Sequence, residues 1–359
     1  MSAKAERNRR PDPAFWSGKR ILLTGHTGFK GAWGALWLRE MGAQVTGIGL
    51  SPTEPYSMFD LARIAEICDS HIADIRDADA MARLVAEAKP DLVIHMAAQA
   101  LVRRSLRDPD ETWSTNVDGT GRLLDAVRTQ APGTPVLVIT SDKVYANDNS
   151  GRAFEEGDRL GGKDPYSASK AGCELLVASH RISFFEPAGT PLASVRGGNV
   201  IGGGDFSEDR LIPDAVRAAL AGETLVLRHP EATRPWQHVL DCLSGYFVFA
   251  ETLVQEPDAP RMLNIGPDND AGETSVGAAA DIILPLLGAD AWRHEPVPGS
   301  VEALALRISS ALAVERLGWT PKLQGRAALE WTAEWYQAWR SGADLVALSK
   351  DQIARFSAL

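Results

Sequence analysis

The sequence predicts an α/β protein with a doubly wound, mainly parallel sheet and a smaller α/β substrate-binding domain. Three observations carry this. From Lys19 onward, short apolar runs alternate with longer helical periods, the pattern of repeated βαβ units. Two of those runs, Leu92-Val93-Ile94 and Val136-Leu137-Val138-Ile139, are apolar without a break, as strands buried on both faces must be. The first run ends in Leu22-Leu23-Thr24 and passes through Gly25-His26-Thr27-Gly28-Phe29-Lys30-Gly31 into a helical period. Strand, glycine turn and helix in that order make a dinucleotide grip.

At 359 residues the chain can bury a large core, as one elaborate domain or two. Its 47 acidic and 37 basic side chains leave a formal net charge of -10, which argues against a nucleic-acid partner. Cys68, Cys173 and Cys242 lie far apart and show neither C-x-x-C nor Cys/His ligand spacing, so they read as reduced thiols and no metal is expected. No apolar run reaches membrane-spanning length, and Met1–Arg10 is followed by no apolar stretch of the kind a signal peptide needs. The expectation is a cytoplasmic protein, without a membrane partner, that carries a flexible N-terminal extension over residues 1–17.

Strands are expected near Arg20–Leu23, Gln44–Leu50, Ser70–Asp74, Asp91–His95, Pro135–Thr140 and Pro191–Val195, with helices between them. Ligands of such sheets sit beyond the C-terminal strand ends. After the first strand, Gly25 makes the tight turn, Gly28 lets a pyrophosphate approach the main chain, and Gly31 removes a side chain where helix meets strand. Thr27, Phe29 and Lys30 complete that cofactor turn, and the free N–H groups of the helix start favour an anion. The spacing is G-x-x-G-x-x-G, not the commoner G-x-G-x-x-G. The second strand ends in Gly49-Leu50-Ser51-Pro52-Thr53-Glu54, with neither an acid for ribose hydroxyls at the strand end nor an arginine for a 2′-phosphate. These residues leave NAD and NADP open. The third strand ends in Asp74-Ile75-Arg76-Asp77, where an acid suits the adenine amino group and Asp77 equally suits a helix cap. The fourth ends in His95-Met96-Ala97-Ala98-Gln99, whose small residues leave room for the cofactor's ribose and nicotinamide. His95 divides evenly between core and site. Asn116, inside a helical stretch it does not favour, reads as a structural or proton-relay residue.

The fifth strand ends in Ser141-Asp142-Lys143, and Tyr166 with Lys170 follows on a helix. A tyrosine and a lysine four residues apart share a helix face, so the ammonium can lower the phenol's pKa and make Tyr166 a general base. Beyond this, Gly197–Gly204 marks an irregular crossover, and Arg210-Leu211-Ile212-Pro213 leads into a helix from Asp214. Arg196, Asn199, Arg210 and Arg234 supply the forks and amides that suit a sugar diphosphate. Val239–Leu253 reads as a helix and Arg261–Ile265 as a late strand, and from Gly272 the chain reads as helical with one short apolar interruption. Trp331, Trp335 and Trp339 recur at four-residue spacing, which predicts core packing. The expected cofactor domain takes residues 18–195 and 238–268, and the substrate domain takes 196–237 and 269–359.

On Gly25, Gly28, Gly31, Asn116, Ser141 and the pair Tyr166 and Lys170, in order and separation, the chain resembles the extended short-chain dehydrogenase/reductase family. The likeness runs over nearly the whole chain from Lys19. It implies a Rossmann cofactor domain, NAD as cofactor, Tyr166 as base, Lys170 holding the ribose and Tyr166, and Ser141 orienting a substrate hydroxyl. In that family, nucleotide-sugar 4,6-dehydratases place an Asp and a Glu after the Ser/Thr, and 4-epimerases lack the pair. Asp142-Lys143, with lysine in the second place, resembles the dehydratase branch that takes CDP-glucose. So do His26 and Lys30 within Thr24–Trp33, the run Ser194–Asp205, and the segment Arg234-Pro235-Trp236-Gln237-His238-Val239. The resemblance implies CDP-glucose as substrate, Asp142 as acid and Lys143 as base, and Arg196, Asn199, Arg210, Arg234 and His238 toward the nucleotide sugar. It also implies a homodimer, with a tetramer as the alternative, built on helices Asp110–Gln130 and Asp164–Phe185. Competing readings are a 4,6-dehydratase for another nucleotide, a nucleotide-sugar 4-epimerase, and a non-catalytic NAD(P)-binding sensor. Asp142-Lys143 opposes the epimerase, and the presence of both Tyr166 and Lys170 opposes the sensor.

Overall fold

The structure, a computed structural model, describes residues 8–234, 236–268, 274–289, 291–296 and 306–359. Pro235 and residues 1–7 of the expected extension lie outside the described residues. Seven strands form the central sheet: β1 (Arg20–Thr24), β2 (Gln44–Gly49), β3 (Asp69–Ile72), β4 (Leu92–His95), β5 (Val136–Ile139), β6 (Leu192–Gly197) and β7 (Met262–Ile265). All pair in parallel, in the order β3-β2-β1-β4-β5-β6-β7. The order reverses between β1 and β4, so the crevice beyond their C-terminal ends is where a doubly wound sheet takes its ligand.

The central strands are largely apolar because each of their faces is covered. Ile21, Leu23, Ile94, Leu137 and Val195 enter one apolar cluster, and Leu22, Val93, Val136, Val138 and Leu192 enter another. A period of two sends alternate side chains to opposite faces, and here both are interior. The longer helices are α1 (Phe29–Glu40), α2 (Ala78–Ala88), α3 (Gly119–Gln130), α4 (Pro165–His180), α5 (Leu211–Ala221), α6 (Val239–Gln255), α7 (Val276–Leu287), α8 (Gly325–Arg340) and α9 (Leu345–Ser357). Asp77 caps α2 through Ala80 N–H, and Asp164 with Ser167 forms a capping box on α4. α6 is buried on every side from Val239 to Leu253, since sheet, α1 and the C-terminal segments surround it.

Several expectations need correction. The extension is docked over residues 8–17. Asn8 and Arg9 donate backbone N–H bonds to the Gly318 carbonyl, and Trp16 is fully buried against Phe247. The cause is Glu251, a carboxylate buried in α6, which accepts from Asp12 N–H (2.7 Å), Trp16 Nε1 (2.7 Å) and Arg9 (3.1 Å). The expected helix Asp110–Gln130 runs as Pro109–Trp113, a wide π turn over Ser114–Asp118, and α3. Asn116 sits in that turn, where its carbonyl takes Thr120 Oγ1 (2.6 Å) and the Cys173 thiol (2.8 Å). α5 begins at Leu211, before Asp214, because Pro213 is tolerated in a first turn. The C-terminal part is not purely helical. Thr274–Ser275 pairs with Thr233–Arg234, Trp292–His294 with Leu225–Leu227, and Arg307–Ile308 with Ala153–Phe154, in pieces too short to show a period. α9 lies on α1, with Trp37 and Phe356 edge to face and Lys350 paired to Glu40. One apolar cluster therefore runs from the sheet to the C-terminus, and Trp335 is fully buried in it.

Candidate active site

The glycine turn is shaped by close approaches. Gly25 has φ +78°, and a Cβ there would lie 2.7 Å from Ala97 N. A Cβ on Gly31 would lie 2.0 Å from the Gly25 carbonyl oxygen. Gly28 is the exposed N-cap of α1, and no side chain caps that helix, so N–H groups of its first turn face outward beside Thr27, Phe29 and Lys30. His26 turns inward, with Nε2 2.7 Å from Ser70 Oγ and its ring against Gly47. The cradle and its orphan N–H groups fit a dinucleotide pyrophosphate.

The neighbouring strand ends are built around that turn. Thr24 Oγ1 bonds His95 Nδ1 at 2.6 Å, and His95 Nε2 bonds Thr120 Oγ1 at 2.9 Å. Burial, then the nearby Lys170 charge, pushes the His95 imidazole down to about 3, so His95 is a neutral core residue. Ala97 N–H donates to Thr24 Oγ1, and Ala98 is half-buried. Asn116 accepts from Gln99 N–H (2.8 Å) and donates to the Gln99 carbonyl (3.0 Å) and Ser169 Oγ (2.9 Å). It thereby fastens the loop after β4 to α4. The Gln99 amide donates to Thr112 and the Leu101 carbonyl. Asp74 is forked by Arg76, which holds its carboxyl below the usual range, and Ile75 packs on Gly119.

Beyond β5 opens a cleft of about 590 Å³ lined by Lys30, Asp142, Lys143, Tyr166, Asn199 and Arg234. Ser141 Oγ donates to Asp142 Oδ1 (3.1 Å), accepts Lys143 N–H (3.2 Å), and hydrogen-bonds the Tyr166 phenol. Asp142 Oδ2 is buried without a hydrogen-bond partner among the described residues. Burial raises the Asp142 carboxyl above its ordinary range against the opposing Lys143 charge. Burial likewise lowers Lys143 against the attraction of Asp142. Burial thus pushes two adjacent groups in opposite directions, the carboxyl toward keeping its proton and the amine toward shedding one.

The expected depression of the Tyr166 pKa by Lys170 needs correction. Burial pushes the phenol up to about 12, with the Ser141 hydrogen bond opposing it. Lys170 Nζ donates instead to the Ile139 carbonyl (3.3 Å), and burial lowers its own pKa. Two substrate assignments also change. Arg196 is 2% exposed and paired with Glu174 at 2.7 Å, because its position on β6 faces α4. His238 is fully buried as the N-cap of α6, accepting Leu240 N–H through Nδ1. Asn199, Arg210 and Arg234 do line the cleft, Arg210 beside Asp205 at 3.3 Å and Arg234 bonded to the Thr233 carbonyl. Missed from the sequence were Thr140 and Tyr145, which line the cleft, and Glu174, which holds Thr140 from behind it. Glu174 alone left a signal, an acid one turn beyond Lys170 on the same helix face.

A family model described as the NAD dependent epimerase/dehydratase family matches residues 21–266. The chain is 44% identical over 353 residues to a CDP-glucose 4,6-dehydratase of Salmonella typhimurium, covering 96% of this chain and 98% of that one. It is 33% identical over 264 residues to the low-salt glycan biosynthesis protein Agl12 of Haloferax volcanii, 73% of this chain and 80% of the other. Among solved structures, it resembles the dTDP-glucose 4,6-dehydratase DesIV of Streptomyces venezuelae, a double mutant with NAD and DAU bound. That likeness has a TM-score of 0.78 at 26% identity, over 91% of this chain and 99% of that one. With more than half its length matched by the family model and a full-length relative at this identity, the chain belongs to the NAD dependent epimerase/dehydratase family.

Proposed function

We propose that the protein is an NAD-dependent hydro-lyase that converts CDP-D-glucose to CDP-4-dehydro-6-deoxy-D-glucose and water. The observation that carries this reading is the adjacent pair Asp142 and Lys143, displaced in opposite directions by burial beside Tyr166. The 44% identical CDP-glucose 4,6-dehydratase supports the choice of nucleotide. Gly25, Thr27, Gly28, Phe29, Lys30 and Gly31 hold NAD, with Asp74, Ile75, Ala97, Ala98, Gln99 and Asn116 toward its other parts. Bound there, NAD supplies a reversible hydride acceptor. Ser141 orients the sugar 4-hydroxyl and Tyr166 takes its proton, with Lys170 holding the ribose side of the site. The resulting 4-ketone acidifies the C5 proton, which Lys143 removes as Asp142 protonates the departing C6 hydroxyl, released as water. The Lys143 ammonium then returns its proton to C5, and the proton taken by Tyr166 replaces the one Asp142 gave to the departing water.

Asn199, Arg210 and Arg234 serve the diphosphate of the substrate. Residues 18–195 and 238–268 act as the cofactor unit, and 196–237 with 269–359 as the nucleotide-sugar unit, joined through their shared core. The protein works in the cytoplasm, in keeping with the absence, among the described residues, of a helix long and apolar enough to cross a membrane. It assembles as a homodimer through the helices at Asp110–Gln130 and Asp164–Phe185. Leu175 and Ile182, 64% and 60% exposed there, support that reading. The test supplies glucose linked to CDP, dTDP, UDP or GDP with NAD, and follows 4-keto sugar and free NADH. The expected result is keto product from CDP-glucose without accumulating NADH, and absence of keto product from all four overturns the dehydratase.

A further inference from the structure

The turn that carries Ser141, Asp142 and Lys143 is short, and its internal ties are few. Within it, Ser141 donates to Asp142 and accepts Lys143 N–H. Its two ends, however, are anchored to a single buried ion pair. At the near end, Thr140 Oγ1 donates to Glu174 Oε1 at 2.5 Å. At the far end, Arg196 Nη1 donates to Tyr145 Oη at 2.8 Å. Arg196 Nη2 and Ser194 Oγ both donate to Glu174 Oε2, at 2.7 and 2.9 Å, which closes the loop. Tyr145 is pinned further by its bond to Asn264 Oδ1 (2.7 Å) and by stacking on Phe154, with centroids 4.9 Å apart.

Glu174 and Arg196 are 4% and 2% exposed, and neither lines the cleft. A buried ion pair is a weak source of stability, because desolvation offsets most of its attraction. It does impose direction, since a guanidinium is a planar fork whose donors fix the orientation of what they bind. Tyr166, Lys170 and Glu174 follow one another at four-residue spacing on α4, so the pair also sets the distance from that helix to the turn. Tyr166 and Lys170 are held by the helix itself. Asp142 and Lys143 sit on the turn between the two anchors, whose backbone is tied besides by Thr140 N–H to the Val195 carbonyl and by Gly161 N–H to the Val144 carbonyl.

We infer that Glu174 and Arg196 are a positioning pair that aligns Asp142 and Lys143 for the elimination at C5 and C6, leaving the proton transfer at Tyr166 to the helix. This inference rests on the dehydratase reading. It predicts that loosening either anchor slows elimination more than oxidation at C4. The substitutions Thr140→Val and Tyr145→Phe each remove one hydroxyl and keep the ion pair and the local shape. In each, turnover of CDP-glucose should fall roughly ten- to a hundredfold with little change in KM. The oxidised sugar should then wait for elimination, so reduced nicotinamide absorbance builds up in a single turnover and C5 takes up solvent deuterium more slowly. Thr140→Ser keeps the hydroxyl and should move both signatures back toward wild type.

Thermal unfolding run alongside separates a displaced turn from a loosened fold. If Thr140→Val does not fold, Tyr145→Phe carries the test, since its ring still stacks on Phe154. Wild-type turnover in both variants overturns the inference, and so does a slower turnover in which reduced nicotinamide never builds up. If wild-type protein itself forms no keto sugar from any nucleotide-linked glucose, the dehydratase reading falls, and the inference falls with it.

Discussion

Lys143 Nζ lies 5.8 Å from the centre of the Tyr166 ring, which brings the proposed C5 base against the proposed O4 base. Ser141 joins them, since it hydrogen-bonds Tyr166, donates to Asp142 and accepts Lys143 N–H. Oxidation and elimination therefore share one cluster of side chains, and substitutions within it can separate the two halves of the reaction.

The first prediction concerns Asp142→Asn. The amide keeps the shape of the carboxyl and cannot protonate a departing hydroxyl. Loss of a positioned general acid costs about 10²- to 10⁴-fold, so keto-deoxy product should fall by that order while the C4 oxidation persists in single turnover. The pH profile should change as well. Asp142 acts protonated and Lys143 acts neutral, and burial raises the first pKa and lowers the second. Activity should rise with pH as Lys143 loses its proton and fall as Asp142 loses its own. Asp142→Asn should lose the falling limb, and a variant with an unchanged profile and near-normal rate would remove Asp142 from the mechanism.

Two glycines of the cofactor turn should respond differently. A Cβ at position 31 meets the Gly25 carbonyl at 2.0 Å and His26 Cα at 2.9 Å, both backbone atoms. Gly31→Ala should therefore destabilise the protein by about 1–3 kcal/mol and abolish the thermal stabilisation that added NAD provides. At Gly28 the nearest atom stands at 3.4 Å, so Gly28→Ala should leave Tm without NAD nearly unchanged and still reduce the NAD-dependent shift. Equal behaviour of the two variants in melting curves with and without NAD would contradict this account of the turn.

How much of this was legible follows from the kind of signal each residue leaves. β4 and β5 were plain because strands buried on both faces are nearly continuous in apolar residues. Asn116 stood out because it disfavours a helix, and the π turn that accommodates it is a backbone feature that propensity cannot draw. Arg196 was misplaced because its charge suggested a diphosphate, whereas its side of β6, shared with Ser194, faces Glu174. His238 was misplaced for a related reason. Its neighbours Arg234 and Trp236 do reach the cleft, but the helix it caps turns it into the core. The docked segment at residues 8–17 contains one four-residue helix, too short for any period, and the carboxylate that holds it lies more than 200 residues away.

That segment should matter to stability. Trp16 is fully buried, and truncating such a side chain typically costs about 3–5 kcal/mol. Trp16→Ala should show a loss of this size in urea unfolding at pH 7. Removing residues 1–17 should cost at least as much, because it also strips Glu251 of Asp12 N–H, Trp16 Nε1 and Arg9. An unchanged urea midpoint in the truncated protein would mean that the docked segment adds nothing to the fold.

The buried histidines contribute to the acid limb of stability. Burial pushes His238 down to about 3, and His95 to about 3 as well, while an unfolded chain's histidine titrates near about 6.5. Between those values the unfolded state binds more protons than the folded one. Stability is then fully present above about pH 6.5 and is lost as pH falls toward 3, by up to about 1.4 kcal/mol per pH unit for each histidine. His238→Asn removes one of these titrations and keeps the cap, because an asparagine carbonyl can accept Leu240 N–H as His238 Nδ1 does at 3.3 Å. The variant's urea midpoints at pH 7, 5 and 4 should therefore descend with a shallower slope than wild type, starting from a similar value at pH 7. Carboxylates such as the Arg76-held Asp74 titrate lower, whereas Asp241, pushed up to about 6 by burial, takes up its proton inside this window and offsets part of the slope equally in variant and wild type. Parallel slopes for variant and wild type between pH 6 and 4 would show that His238 takes up its proton without cost, and its buried, neutral role as the α6 cap would have to be given up.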